Sequence, residues 1–307
     1  MKLSYSKLFE TLAQKEISKT ELQKNISISS ATLAKLSKNE NVSMKTIEDI
    51  CSFLHCQPND IMTMEYETDK NTLLYQFQEE KRMRLKGGIY HQTQVKFAYN
   101  SNHIEGSKLT EDQTRYIYET NTIGIEKEPA NVDDIIEAVN HFRCFDYIID
   151  YASETLTENI IKELHYMLKV NTSDSRLQWF NVGDYKQKPN MVGDMPTTPP
   201  KQVKKEIQRL LLDYNQKDNI TFQDVVAFYY KFEKIHPFQD GNGRVGRLIL
   251  FKECLKYDIV PFIIEESHKL YYYRGLKEFD NESGYLMDTC LSAQDKYKEL
   301  LTYFENA

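Results

Sequence analysis

The chain has 307 residues, 40% hydrophobic and 28% charged, with a formal net charge of −7. That length suits two domains and that composition allows a sizeable core, which excludes wholesale disorder and a surface built throughout for nucleic acid. The five cysteines, Cys51, Cys56, Cys144, Cys254 and Cys290, form no CxxC pair, which argues against a zinc site or a disulfide framework and for reduced thiols. No stretch is apolar for long enough to span a bilayer or to serve as a signal peptide, so the expectation is a cytoplasmic protein without membrane contact.

Glycine and proline are scarce, 11 and 8 residues, and almost every apolar pattern repeats at helical spacing, so the chain reads as mainly α. Residues 1–64 carry short helical patterns. Ser18 followed by Glu21 is a capping-box signal, a second helix can start at Ser29 or Ser30 after the turn Ile26-Ser27-Ile28, and Ser43 can cap a third. The second helix would present Thr32 and Lys35 outward and Leu33 and Leu36 inward, while Ile47, Ile50 and Leu54 face the core of the next. Two short helices across a tight turn match a helix-turn-helix, whose second helix enters the major groove. The stretch 4–64, closed by HCQPNDIM, resembles the Cro/C1 type of DNA-binding domain. The resemblance implies DNA contacts from Ser29, Ser30, Thr32 and Lys35. Eight lysines against seven acids over 1–64 give a net of only +1, so a helical docking module is the alternative.

Residues 65–86 are charged and read as a helical connector, and a larger helical body follows over 87–307. Within it YNSNHIEG, residues 99–106, places Ser101 and Glu105 four apart on a helix near 90–106, a spacing usual for a solvated face. The stretch 179–200, WFNVGDYKQKPNMVGDMPTTPP, gathers prolines and glycines around short extended pieces and reads as a β-hairpin, with the next helix starting near Pro199-Pro200.

Residues 236–247, HPFQDGNGRVGR, concentrate the chemistry. Glycines opening a helix expose backbone N–H groups to an anion. Arg244 and Arg247, three apart, add two guanidinium groups on one side of the first turn, which suggests a polyphosphate. Asp240 makes sense beside phosphates if it holds Mg²⁺, and His236 at the end of the preceding helix is free to act as a base. The expected reaction is attack of a hydroxyl on phosphorus. Phe238 reads as the anchor of this loop in the core.

This stretch matches HPFx(D/E)GNGRxxR at every fixed position, and over about residues 75–305 the chain resembles the Fic (filamentation induced by cAMP) family. The resemblance implies an all-helical fold with a short β-hairpin flap. The activity it implies is transfer of AMP from ATP to a Ser, Thr or Tyr hydroxyl of a protein, or of the chain itself. Carried over to this sequence, His236 deprotonates the hydroxyl and Asp240 binds Mg²⁺. Phe238, Gly241, Asn242, Gly243, Arg244 and Arg247 form the ATP-binding set, with Arg247 on the γ-phosphate. Glycine at 243, where the phosphorylating Doc branch has lysine, favours adenylylation. Ser101, Glu105 and Gly106 resemble the family's inhibitory motif (S/T)xxxE(G/N), with Glu105 expected on Arg247 in place of the γ-phosphate. The flap residues Lys188, Asn190, Met191 and Val192 would pair with an extended target segment. The family commonly has arginine two or three residues after the glycine that opens the flap, whereas Gly183 is followed here by Asp184, Tyr185 and Lys186.

Two further readings stay open at this level. In one, Glu105 serves removal of AMP from modified targets. In the other, the chain is a DNA-binding regulator whose second domain senses nucleotide. Tyr271, Tyr272 and Tyr273 are candidates for an adenine wall but cannot all share one helix face. Trp179 reads as an anchor at the flap's base, and His55, His91, His141, His165 and His268 as structural. The target and the operator are not legible, and dimerisation through either domain is left open.

Overall fold

Serine side chains set the helix starts of the N-terminal region in the computed structural model, which describes residues 2–15, 17–65, 72–124, 129–193 and 195–305. The chain divides into two units, Met1–Asp69 and Lys70–Ala307. In the first, strand β1 (Lys2–Ser4) leads into helices α1 (Ser6–Gln14), α2 (Lys19–Asn25), α3 (Ser30–Ser37) and α4 (Met44–Leu54), and strand β2 (Thr63–Glu65) follows. Ser18, Ser29 and Ser43 cap α2, α3 and α4 by accepting from the backbone N–H groups of Glu21, Thr32 and Thr46, as their spacing predicts. Tyr5, Leu8, Leu12, Leu22, Leu36, Ile47, Ile50 and Leu54 join one buried cluster. Leu33 is only half-buried. The unit is not purely helical: β1 and β2 pair antiparallel with Leu3 opposite Met64. Three-residue strands so far apart in sequence leave no periodic trace.

The second unit holds α5 (Leu73–Met83), α6 (Ile89–Ile104), α7 (Glu111–Thr120), α8 (Val132–Asp150) and α9 (Glu158–Lys169), then strands β3 (Met191–Val192) and β4 (Met195–Pro196). It ends with α10 (Pro200–Asn215), α11 (Phe222–Ile235), α12 (Asn242–Lys256), α13 (Lys269–Glu278) and α14 (Gly284–Glu305). The chain is mainly α, as expected. The antiparallel pair β3–β4 forms the hairpin, with Val192 opposite Met195, and Pro200 occupies the first turn of α10. Residues 66–71 of the expected connector and Asp194 of the flap lie outside the described residues. The rest of the connector is no free linker, because Leu74 and Phe77 of α5 are buried in the second unit's core.

The organising element is α12. Every residue from Asn242 to Leu255 is buried, as happens when a helix runs through a core rather than over it. It packs against α5, α6, α8, α9 and α11. An aromatic cluster joins these helices. Phe251 of α12 stacks on Phe97 of α6 at 5.1 Å and meets Phe145 of α8 edge-on at 5.3 Å, with Phe77 of α5 alongside. This cluster fixes α6 on α12, and so fixes Ser101 and Glu105 near the 236–247 stretch. Lys252, fully buried on the same helix, is neutralised by Glu253 at 2.7 Å and donates to the Glu154 carbonyl at 2.7 Å. Among the described residues no helix is long and apolar enough to cross a membrane.

The crossing of α13 and α14 depends on one glycine. A Cβ on Gly275 would lie 2.7 Å from Leu286 Cα and 2.9 Å from its N, which are backbone atoms that cannot rotate away. Gly275→Ala should therefore destabilise the second unit by about 1–3 kcal/mol. A thermal melt equal to wild type would contradict this packing.

Candidate active site

Local backbone rules build the loop that joins α11 to α12. His236 caps the C-terminus of α11 in the left-handed region (φ 52°), its N–H donating to the Phe232 carbonyl at 2.9 Å. This conformation is uncommon for a residue other than glycine, and such positions concentrate at functional sites. It ends the helix and turns the imidazole out of the helical stack. Gly241 (φ 78°) is the N-cap of α12. Asn242 closes the loop between them: its Oδ1 accepts from Phe238 N at 2.7 Å and its Nδ2 donates to Phe238 O at 3.0 Å. The Asn242 side chain is thus spent on loop shape, and a ligand would meet only its backbone N–H. The Phe238 ring is fully buried and stacks on His165 at 3.9 Å, so the ring anchors the loop and offers a nucleotide nothing directly. His165 accepts from Gly183 N through Nδ1, which ties the start of the flap to the same anchor.

Burial, with the nearby charge of Lys186, lowers the His236 pKa to about 4. The imidazole is therefore neutral at physiological pH, and its Nδ1 has no hydrogen-bond partner among the described residues. Burial works to raise the Asp240 carboxyl pKa, but Arg244 and Lys169 beside it outweigh that effect and hold it well below the usual range. Asp240 is an anion with a half-exposed side chain. Arg244 does not reach into the open. It is buried, paired with Glu137, 3.1 Å from Asp240 Oδ2 and 3.4 Å from Asn102 Oδ1, and so braces the loop from beneath.

Arg247 is saturated by acceptors. Its Nε donates to Ser101 Oγ at 3.0 Å, Nη1 to Tyr272 Oη at 3.2 Å, and Nη2 to Ser101 O at 2.8 Å and Glu105 Oε1 at 2.7 Å. The way α6 ends makes this possible. Gly106 (φ 107°) lies just past the cap, with Gly106 N donating to His103 O and Ser107 N to Asn102 O. This double closure stops the helix and leaves Glu105 at its cap, facing α12. Gly243 is the necessary complement, since a Cβ there would collide with Glu105 Oε1 and sit 3.0 Å from Arg247 Nη1. Ser101, Glu105 and Gly106 thus come together with Arg247 and Gly243. Deeper still, Glu233 lies 2.6 Å from where a Gly246 Cβ would be, and burial pushes its carboxyl up to about 8 against the pull of Arg247.

The flap is tied to the loop. Lys186 N donates to Pro237 O at 2.9 Å, Asn190 Nδ2 to Phe238 O at 3.0 Å, and Lys188 N to Gln239 Oε1 at 3.3 Å. The side chain of Asn190 is therefore committed, while Met191 and Val192 are exposed. Lys186 is buried and donates through Nζ to Asn190 Oδ1 at 2.7 Å and Thr197 Oγ1 at 2.6 Å. A cation thus stands in the stretch where the family commonly has arginine. Trp179 is partly exposed, with Lys188 Nζ 4.4 Å over its ring. Of the three consecutive tyrosines, Tyr272 is core beneath Arg247, Tyr271 is exposed, and Tyr273 donates to the Ile104 carbonyl at 3.3 Å.

Glu137 and Lys169, both in contact with this site, do not figure in the sequence motif. The signal for them is a charge within an apolar helical stripe: Lys169 continues Ile161–His165, and Glu137 precedes His141 and Phe145 at the same spacing. A separate cleft of about 370 Å³, lined by Lys96, Asn100, Glu265, Lys296 and Tyr297 among others, contains none of the site's residues. In the first unit, Ser30 and Lys35 are exposed on α3, Thr32 is half-buried, and the Ser29 hydroxyl is committed to capping.

Comparison with known proteins agrees with both units. The profile of the Fic/DOC family matches residues 155–253, and that of the Cro/C1-type helix-turn-helix DNA-binding domain matches residues 7–67. A protein adenylyltransferase Fic of Nematostella vectensis is 25% identical over 183 residues, 59% of this chain and 42% of its own length. The protein of the same name from Drosophila melanogaster is 28% identical over 188 residues, 58% of this chain and 36% of its own. The chain thus spans well under half the length of these relatives. A Fic-domain-containing signaling protein from Bacteroides thetaiotaomicron superposes with a TM-score of 0.57 at 25% identity, covering 76% of this chain and 91% of that one. Residues 155–253 are therefore a Fic/DOC-family domain, and residues 7–67 a Cro/C1-type helix-turn-helix domain, of a single chain.

Proposed function

We propose that the chain is a protein adenylyltransferase that moves AMP from ATP to a Ser, Thr or Tyr hydroxyl of a protein, with Glu105 as its brake. The observation that carries this reading is the pairing of Glu105 with Arg247 across the glycine-lined start of α12. A nucleotide's phosphates would lie on the backbone N–H groups of Gly241, Asn242 and Gly243, which the helix start leaves without intrahelical acceptors. Arg247 would then exchange the Glu105 carboxylate for the γ-phosphate. His236 accepts the hydroxyl proton, the freed oxygen bonds to the α-phosphorus, and the bond to pyrophosphate breaks.

Among the described residues no group of three or more His, Cys, Asp or Glu could hold a metal ion. Asp240 alone fits Mg²⁺, which binds through one or two carboxylates together with substrate phosphates and water. When bound there, the metal would neutralise phosphate charge. Met191 and Val192 would offer their strand edge to an extended target segment. The exposed residues of α3, Ser30 and Lys35, would face DNA, with Thr32 beside them.

A second reading has support in the same pair. Glu105 gives only Oε1 to Arg247 and keeps its side chain 31% exposed, so it can also order a water for removal of AMP.

Incubation with ATP labelled on the α-phosphate should give little protein-bound label with wild type, roughly tenfold or more with Glu105→Gly, and none with Glu105→Gly/His236→Ala. Label that persists without His236 would contradict the assignment of the base. Label released as AMP from a premodified target by wild type but not by Glu105→Gly would favour the second reading. Because burial lowers His236 to about 4, the base is already neutral at pH 7 and loses activity only on protonation. The rate with Glu105→Gly should stay flat between about pH 5 and 7 and fall below that range. An acid limb centred near an ordinary histidine value, about 6.5, would contradict it.

A further inference from the structure

Glu137 and Lys169 form a buried bridge beneath the motif. Lys169, the last residue of α9, is 3% exposed at its side chain and places Nζ 2.7 Å from Asp240 Oδ2, 2.6 Å from Glu137 Oε1 and 3.2 Å from Asp174 Oδ2. Glu137, on α8, gives its other oxygen to Arg244, whose Nη2 returns to Asp240 Oδ2 at 3.1 Å. Two cations therefore converge on one oxygen of Asp240, and one carboxylate holds both cations. The C-terminal end of α9 is locked to the middle of α8, since Asn140 of α8 donates to the carbonyls of Leu168 and Val170 at 3.0 and 2.9 Å. Asp240 itself stands on a loop that passes directly into Gly241, whose backbone N–H also supports the carboxylate, but its side chain is 50% exposed and its charged partners are Lys169 and Arg244.

We propose that Glu137 and Lys169 are positioning residues that hold Asp240 by Oδ2 and thereby direct its other oxygen to the cation bound with the nucleotide. This rests on the nucleotide reading above and adds to it two residues outside the motif. Lys169, Arg244 and a bound cation would compete for the one Asp240 carboxylate. Without Lys169, Asp240 can rotate onto Arg244, four residues along the chain, and form a two-oxygen pair that leaves nothing for a metal. Without the charge of Glu137, both cations fall on Asp240 and draw its two oxygens inward. Either change spends the oxygen that the bridge keeps free. Supporting groups of this kind alter metal affinity about 10–100-fold. A bridge that served stability alone would lose stability when one partner is removed, because the remaining charges stay buried and unpaired, but it would not distinguish nucleotide with metal from nucleotide without.

The test uses the full chain carrying Glu105→Gly, with Mn²⁺ and a non-hydrolysable ATP analogue as probes. Water-proton relaxation reads protein-held Mn²⁺, and titration calorimetry in EDTA reads the analogue alone. Adding Lys169→Met or Glu137→Gln should weaken binding of the Mn²⁺–analogue complex roughly tenfold or more and leave the metal-free affinity unchanged. Lys169→Arg, which keeps the cation, should recover most of the loss. Unchanged Mn²⁺ binding in both variants would overturn the inference, as would equal losses with and without metal. If the Glu105→Gly chain itself holds no Mn²⁺–analogue complex, the nucleotide reading fails first and takes this inference with it.

Discussion

A guanidinium buried in the centre of a helical bundle is the constraint on which this site depends. Arg247 lies on α12, the helix surrounded on all sides by the second unit's core, and is 3% exposed at its side chain. Removing such a charge from water is costly unless acceptors surround it. The fold supplies them from two neighbours: Ser101 and Glu105 at the end of α6, and Tyr272 on α13. Ser101, which accepts through its hydroxyl and its carbonyl, and Tyr272 are neutral and buried. Only Glu105 brings the opposite charge, and only Glu105 reaches solvent. The contact that best neutralises Arg247 is therefore also the one that, on the proposed reading, an incoming anion would replace. The aromatic cluster of Phe77, Phe97, Phe145 and Phe251 keeps α6 in register with α12, and so holds Glu105 against Arg247.

The loop beside Arg247 follows from the same economy. A left-handed His236 ends one helix, a left-handed Gly241 starts the next, and Asn242 ties the span between them shut. Phe238 and His165 stack beneath it, and three hydrogen bonds carry the flap along its edge. The result is an imidazole, a carboxylate and a row of backbone donors whose spacing owes little to side-chain flexibility. Preorganisation of this kind is what the proposed group transfer would require.

What could be read from the sequence was whatever short-range chemistry determines. Ser18, Ser29 and Ser43 announce their helices because a cap acts three residues away. Pro200 marks a helix start because its ring fits only there, and the 236–247 stretch carries its own turn and its own charges. Glu105 could be matched to Arg247 only through a family resemblance, since 142 residues separate them. Glu137 and Lys169 escaped notice for the same reason, lying 107 and 71 residues from their partners Arg244 and Asp240. The motif also hid a division of labour. Arg244 and Arg247 look equivalent on a helical wheel, yet one braces Asp240 from below and the other faces Glu105. Which of three adjacent tyrosines lies under Arg247 depends on how α13 rotates against α12, and no pattern within α13 encodes that.

On the proposed reading, Glu105 occupies the position that a nucleotide's terminal phosphate would otherwise take. Titration calorimetry of ATP into the full chain and into its Glu105→Gly variant addresses this most directly. Loss of a charge-assisted competitor should tighten ATP binding by about 1.5–3 kcal/mol, roughly 10–100-fold. Equal affinity in the two proteins would mean that the carboxylate and the nucleotide do not compete, and that Arg247 serves the fold rather than the ligand.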